Sequence, residues 1–319
     1  MPKLRAALAA LLALGIAACA TAPADVVDRA QATQDLRILS ADDMQGRAVG
    51  TPGGAKARAY LLGRLKAIGV QPFGSSYEQP FSFTDKEGTA NGVNLVGRIP
   101  GAGSSDKVLV IGAHYDHEGV KNGEIYNGAD DNASGVAGLL AIAAAFIKSP
   151  PEHETVFVLF DAEERGLRGA QAFVDKPPVP LERMALLLNF DMLGRNAQNE
   201  LWVAGPTRQP ALKPVVEALV KEAAPPVVLK IGHDGPPWKG ADDWTLLSDQ
   251  GPFHTAGVPW LYIGVDYHPD YHKPTDDFER IAPAFFGGAV QTVVTAARKF
   301  DGLLDALPRE KPLDFPAAK

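Results

Sequence analysis

The chain has 319 residues, 46% of them hydrophobic, with fourteen Phe and four Trp, enough to bury a sizeable core in one large domain or two small ones. Its formal charge of −7 at pH 7 argues against a nucleic-acid partner, which needs a concentrated basic face; carboxylates gathered in one place would suit cations instead. Cys19 is the single cysteine, so a disulfide within the chain is excluded.

The N-terminus carries Lys3 and Arg5, then an apolar run, then small residues, the plan of a secretory signal over residues 1–18. The apolar run is shorter than the about 20 residues that span a bilayer. IAAC at 16–19 is similar to the lipobox of bacterial lipoproteins, in which the cysteine becomes the lipidated first residue of the mature chain. We therefore expect an exported protein held to the bacterial cell envelope through Cys19 alone, at the outer membrane facing the periplasm. A soluble secreted protein cleaved near Ala18 or Ala22 is the alternative. Removing residues 1–18 deletes two positive and no negative charges, leaving 29 Lys+Arg against 38 Asp+Glu, a net of −9. Residues 19–25 then form a tether.

From residue 26 the pattern is helical: VVDRAQATQDLRIL, a break at TPGG, then AKARAYLLGRLKAIGV, which puts Ala57, Leu61, Leu65 and Ile68 on one face. YEQPFSF and VNLVGRIP read as β runs, and KVLVIGAH as a strand buried on both faces. The helix ASGVAGLLAIAAAFIKS follows, with Asp131 or Asn132 as its cap. The alternation then repeats: strand TVFVLF, helix around GLRGAQAFVDK, strands MALLLNF and ELWVAG, helix ALKPVVEALVKEA, strand VPWLYIG, and a closing helix from Ala284 to about Leu304. This order predicts one α/β domain over residues 26–304, a mostly parallel mixed sheet covered by helices on both faces. Residues 305–319, with three Pro and mixed charge, read as a surface tail.

Ligands in open α/β sheets bind outside the carboxyl ends of the strands. Beyond KVLVIGA stand His114, Tyr115 and Asp116; beyond TVFVLF, Asp161, Glu163 and Glu164; beyond MALLLNF, Asp191; a few residues beyond VPWLYIG, Tyr271 and His272. The loop after the first of these strands adds Asp130 and Asp131. Each has a bland reading when taken singly: a loop histidine, a helix cap, a solvated turn. Together they are a set of carboxylates that would repel one another without a cation. Imidazoles with carboxylates suit zinc or a similar transition metal rather than calcium or magnesium. Two His and three carboxylates exceed the three ligands one catalytic zinc takes, so two ions sharing a carboxylate fit better.

Other signatures are missing. HEGVK and HETVF lack the second His of H-E-x-x-H, and there is no G-x-S-x-G elbow and no Gly-rich nucleotide loop after a strand. His117, His153, His233 and His254 read as surface or loop residues. Trp238, Trp244 and Phe253, in a Gly/Pro-rich insertion, read equally as a side-chain pocket or as core.

GAHYDH (112–117), YNGADDNASGVA (126–137), FDAEERGLRGA (160–170), NFDMLG (189–194) and DYHKPTDD (270–277), in this order, resemble the secreted di-zinc aminopeptidases, whose relatives include glutaminyl cyclases and glutamate carboxypeptidases. The resemblance spans about residues 36 to 303 and leaves no room between motifs for the protease-associated domain of some members. It implies a zinc-aminopeptidase-like fold with two Zn2+. Asp130 would bridge them, one ion also taking His114 and Asp191 and the other Glu164 and His272. By the same resemblance Asp116 would hydrogen-bond His114, Glu163 would be the general base on water held by the metals, and Tyr271 would stabilise the oxyanion. His268, four before His272, does not match the family's ligand, and Gln250 stands where relatives commonly have His. The resemblance implies an exopeptidase that releases N-terminal residues from peptides. Glutaminyl cyclase, carboxypeptidase or dipeptidase activity on the same site, or an inactive peptide-binding lipoprotein, are the alternatives; oligomeric state stays open.

Overall fold

The computed structural model describes residues 26–308 and 311–314; the signal, the tether and Cys19 lie outside the described residues. Helices α1 (Arg29–Leu39) and α2 (Pro52–Ile68) come first. The start of α2 is fixed locally, since Thr51 Oγ1 accepts from the Gly54 amide at 3.2 Å and Pro52 sets the first turn. Strands β1 (Gln71–Pro72), β2 (Glu78–Asp85), β3 (Gly88–Ile99) and β4 (Val108–His114) follow, then a hairpin of β5 (Gly119–Lys121) and β6 (Glu124–Tyr126). Next come α3 (Gly135–Lys148), β7 (Glu154–Phe160), α4 (Arg168–Asp175), β8 (Met184–Phe190), β9 (Glu200–Ala204) and α5 (Lys213–Glu222). The chain closes with β10 (Val228–Ile231), α6 (Gln250–Thr255), β11 (Trp260–Gly264) and α7 (Pro283–Asp301).

Among the described residues a nine-stranded sheet runs β1-β3-β7-β4-β8-β11-β9-β10, with β2 paired to β3. Its centre, β7-β4-β8-β11, is parallel, and the antiparallel pairs β3–β7 and β11–β9 flank it. Alternation along β4 explains the double cover. Leu109, Ile111 and Ala113 join one core with α1, α3 and α7, while Val108 and Val110 join another with Phe173 of α4 and Phe253 of α6. This is the single, mostly parallel mixed sheet with helices on both faces that the strand pattern predicts. Asn132, one of the two expected caps of α3, does accept from the Gly135 amide at 2.9 Å. The β5–β6 hairpin, β10 and α6 are not anticipated, because each is six residues or shorter and sits in Gly- or Pro-rich sequence without a period to read.

The four parallel strands end side by side. Their carboxyl ends deliver His114 directly, Glu163 and Glu164 three and four residues past Phe160, Asp191 one past Phe190, and His272 eight past Gly264.

Candidate metal centre and active site

His114, the last residue of β4, is buried, and its Nε2 lies 3.3 Å from Asp191 Oδ1 and 3.3 Å from Asp131 Oδ1. His272 reaches the same aspartate from the other side, with Nε2 3.1 Å from Asp131 Oδ2 and 3.3 Å from Glu164 Oε2. Asp131 therefore stands between the two histidines and offers one oxygen to each. Ser248 donates to the second oxygen of Asp191 at 2.8 Å and so fixes its rotamer.

The expectation for Asp130 is corrected here. Its buried side chain accepts from Ser134 Oγ at 2.9 Å and from the Gly194 amide at 2.6 Å, and its other oxygen lies 3.2 Å from His268 Nε2. It points away from His114 and His272. The backbone decides between these neighbours: Gly128 takes a left-handed conformation, and Asp131 leaves the helical region at φ −100° and ψ 95°, which rotates adjacent side chains to different sides. Asp276 holds this turn by accepting the amides of Asp130 and Asp131, each at 3.0 Å. Burial, with Asp130 alongside, pushes the Asp276 carboxyl up to about 6.

A second clamp comes from the stretch between α1 and α2. Arg47 is wholly buried and meets no carboxylate directly among the described residues; Nε donates to the Tyr115 carbonyl at 2.8 Å, Nη1 to Leu39 at 2.7 Å and Asn127 at 2.6 Å, and Nη2 to Gly128 at 2.9 Å. One guanidinium thus ties the loop after β4 to the loop carrying Asp131. Burial lowers its pKa to about 10, with Asp131 and Asp116 opposing, so it stays charged at neutral pH.

Asp116 departs from its expected role. His114 Nδ1 is 3.2 Å from the Asp116 carbonyl oxygen but 3.8 Å from its carboxylate, so the backbone orients the ring; the carboxylate instead accepts the Glu163 amide at 3.0 Å. Glu163 borders a cavity together with His114, Asp131 and Asp191. Burial pushes the Glu163 carboxyl well above the usual range against the pull of His114, with Glu164, Asp249 and Asp191 adding to the rise. Tyr271 lines the same cavity and stacks on His272 with ring centroids 3.9 Å apart. Burial, then Asp131 and Asp191, drive its phenol far up, so it remains a hydrogen-bond donor.

Several histidines read as surface or loop residues are buried. His117 is 1% exposed, with Nδ1 2.6 Å from Glu164 Oε1; His153 lies against Asp301 at 3.2 Å, far from the site in the fold. His233 is sandwiched between Trp244 and Trp238, at centroid distances of 3.7 Å and 4.0 Å. His254 meets Trp260 Nε1 at 3.2 Å. Of the three aromatic residues left between pocket and core, Phe253 belongs to the core, and Trp244 packs in that same core while also lining the cavity with Tyr262, Tyr267 and Leu247. Gln250 secures that wall: its side chain accepts from Asn189 at 2.9 Å and donates to the Trp244 carbonyl at 2.5 Å. Arg47, Asp131 as the central carboxylate, His117, Ser248 and Asp276 are absent from the expected set. The paired acids DD at 130–131 and 276–277, and the second His of HYDH, were the available signals.

The donor set suits a transition metal. The carboxylate–imidazole contacts of 3.1–3.3 Å around Asp131 match the separation, about 3.3 Å, of two ligands each about 2.0 Å from a tetrahedral zinc. Buried Glu164 Oε1 and both His117 nitrogens have no hydrogen-bond partner among the described residues, as atoms waiting on a cation would.

The sequence matches the profile of Peptidase family M28 over residues 94–297. A probable lipoprotein aminopeptidase of Mycobacterium tuberculosis is 27% identical over 273 residues, which cover 77% of this chain and 53% of the relative. The chain thus spans about half the length of that curated relative. A glutaminyl cyclase from Porphyromonas gingivalis superposes with a TM-score of 0.71 at 20% identity, over 85% of this chain and 98% of the other. A zinc aminopeptidase from Bacillus subtilis gives 0.69 at 16% identity, over 91% and 99%. At such identities these two likenesses concern the fold.

Proposed function

The chain belongs to peptidase family M28, and on that premise we propose that it is a zinc-dependent exopeptidase that hydrolyses the N-terminal peptide bond of peptides. The observation that carries this is Asp131, whose two oxygens face His114 with Asp191 on one side and His272 with Glu164 on the other, next to Glu163. Two Zn2+ would be held there, Asp131 shared between them, His114 and Asp191 on the first, Glu164 and His272 on the second. When bound, such ions supply Lewis acidity and bring water towards a pKa of about 7.

The remaining work falls to side chains. Glu163, kept basic enough by burial to accept a proton, takes one from the attacking water and returns it to the leaving amine. Tyr271, held protonated, donates to the oxygen that gains charge as the carbonyl carbon becomes tetrahedral. Asp116 positions Glu163 through its amide. The wall of Trp244, Leu247, Tyr262 and Tyr267 offers an uncharged N-terminal side chain an apolar surface and excludes water from the reacting bond.

A panel of aminoacyl and N-blocked peptide substrates tests this. Cleavage that needs a free amine, stops on chelation and returns with zinc is expected; release of C-terminal residues, cyclisation of N-terminal glutamine, or zinc uptake without hydrolysis overturns it. We also propose residues 1–18 as a lipoprotein signal, 19–25 as tether and 26–304 as the catalytic domain, anchored at Cys19 to the envelope. Palmitate label on the wild type that is lost in Cys19→Ala is the expected outcome, and an unlabelled wild type refutes it.

A further inference from the structure

His117 has no role in the ligand set above, yet its surroundings are those of a ligand. It is 1% exposed, and neither ring nitrogen has a hydrogen-bond partner among the described residues. Its Nδ1 is 2.6 Å from Glu164 Oε1, which is also buried and unpartnered. The contact lacks the angle of a hydrogen bond, and His117, Asp131 and Glu164 each bring a ligand atom within 4.8 Å of the others around one point. The same point is bounded by Asp131 Oδ2, 3.8 Å from Nδ1, and by His272, whose ring centroid is 5.9 Å from that of His117. The ring has little freedom to turn away. Gly128 packs on it so closely that a Cβ there would come within 2.5 Å of His117 Cγ and Cδ2.

We propose that His117 is a third imidazole of the metal centre and ligates the second ion through Nδ1, beside Glu164, His272 and Asp131; this rests on the two-ion reading above. The centre is then unequal by construction. The second position has four protein ligands, the number that closes a zinc site, whereas the first has His114, Asp191 and Asp131, the three that leave a place open for substrate or water. Glu163 adjoins the open side, sharing the cavity with His114 and Asp191. The second ion anchors the site, and the first is the one that exchanges.

Zinc titration against a competing chelator should show two steps in the wild type, one much tighter. His117→Ala should weaken the tight step by more than about 100-fold, beyond the 10–100-fold typical of a residue that merely orients a ligand. His117→Gln, closer in shape, repeats the measurement if the alanine variant fails to fold. X-ray absorption at the zinc edge of the fully loaded wild type should count three imidazoles for two ions, falling to two in either variant. Two imidazoles in the wild type, or an unchanged tight step in the variants, overturns the proposal while leaving the peptidase reading intact. A wild type that takes up no zinc and cleaves no peptide refutes that reading instead.

Discussion

Replacing Asp249 by Asn removes a buried ionisable group while nearly keeping its shape. Asp249 is fully buried, and neither carboxylate oxygen has a hydrogen-bond partner among the described residues. Burial pushes its pKa from 3.8 up to about 7, against His114 and reinforced by Asp191. In the unfolded chain the group ionises near pH 4, while the folded protein keeps its proton until about pH 7. Between these values the folded state binds more protons, so stability falls as pH rises, and the loss is absent below pH 4 and complete above pH 7. The rise from 3.8 to about 7, at 1.36 kcal/mol per pH unit, sets the penalty at about 4 kcal/mol. Asn carries no such penalty. Urea unfolding of chelator-treated protein should find wild type and Asp249→Asn nearly equal at about pH 4, with the variant gaining steadily to a plateau of up to ~4 kcal/mol by about pH 8. Asp161 and Asp276, both pushed up to about 6, titrate in both proteins and cancel in the difference. A difference that does not change with pH would refute the reasoning.

Three further outcomes are expected. Asp131→Asn should lower zinc stoichiometry and cut peptide hydrolysis at least ~100-fold, whereas Asp130→Asn should keep zinc and lose only about 1–3 kcal/mol of stability; metal analysis and unfolding check this, and the reverse ranking would return the bridge to Asp130. Glu163→Gln should bind zinc normally yet turn over at least ~100-fold more slowly, and near-normal kcat would remove it as the base. Arg47→Met strands the carbonyls of Leu39, Tyr115, Asn127 and Gly128 at about 1–3 kcal/mol each, so several kcal/mol should vanish from the unfolding free energy. A loss below about 1 kcal/mol would show that water or another donor replaces the guanidinium.

Much of the architecture was legible because β4, β7, β8 and β11 are apolar on both faces, a pattern few elements other than buried strands produce at that length. Once those strands were placed, their ends located His114, Glu163, Glu164, Asp191 and His272 together. The choice between Asp130 and Asp131 was not legible, since it depends on how one turn rotates, and that rotation is held by Asp276 from a distant part of the chain. His117 shows the same limit: nothing in HYDH tells that its second histidine is buried as well as its first, and burial comes from Gly128 and Glu164 closing over it. The Asp116 contact failed for a subtler reason, because His114 Nδ1 lies nearer a main-chain oxygen that every sequence has.

Arg47 carries a consequence for where the working unit begins. The family profile starts at residue 94, so the guanidinium that braces the loops carrying the candidate ligands lies outside that profile match, although within the longer resemblance. A fragment trimmed to residues 94–297 would keep every candidate zinc ligand and still lose the strut beneath them. The profile match therefore marks where the candidate ligands are written, while the brace beneath them reaches back to α1, whose final carbonyl at Leu39 takes one of the same hydrogen bonds.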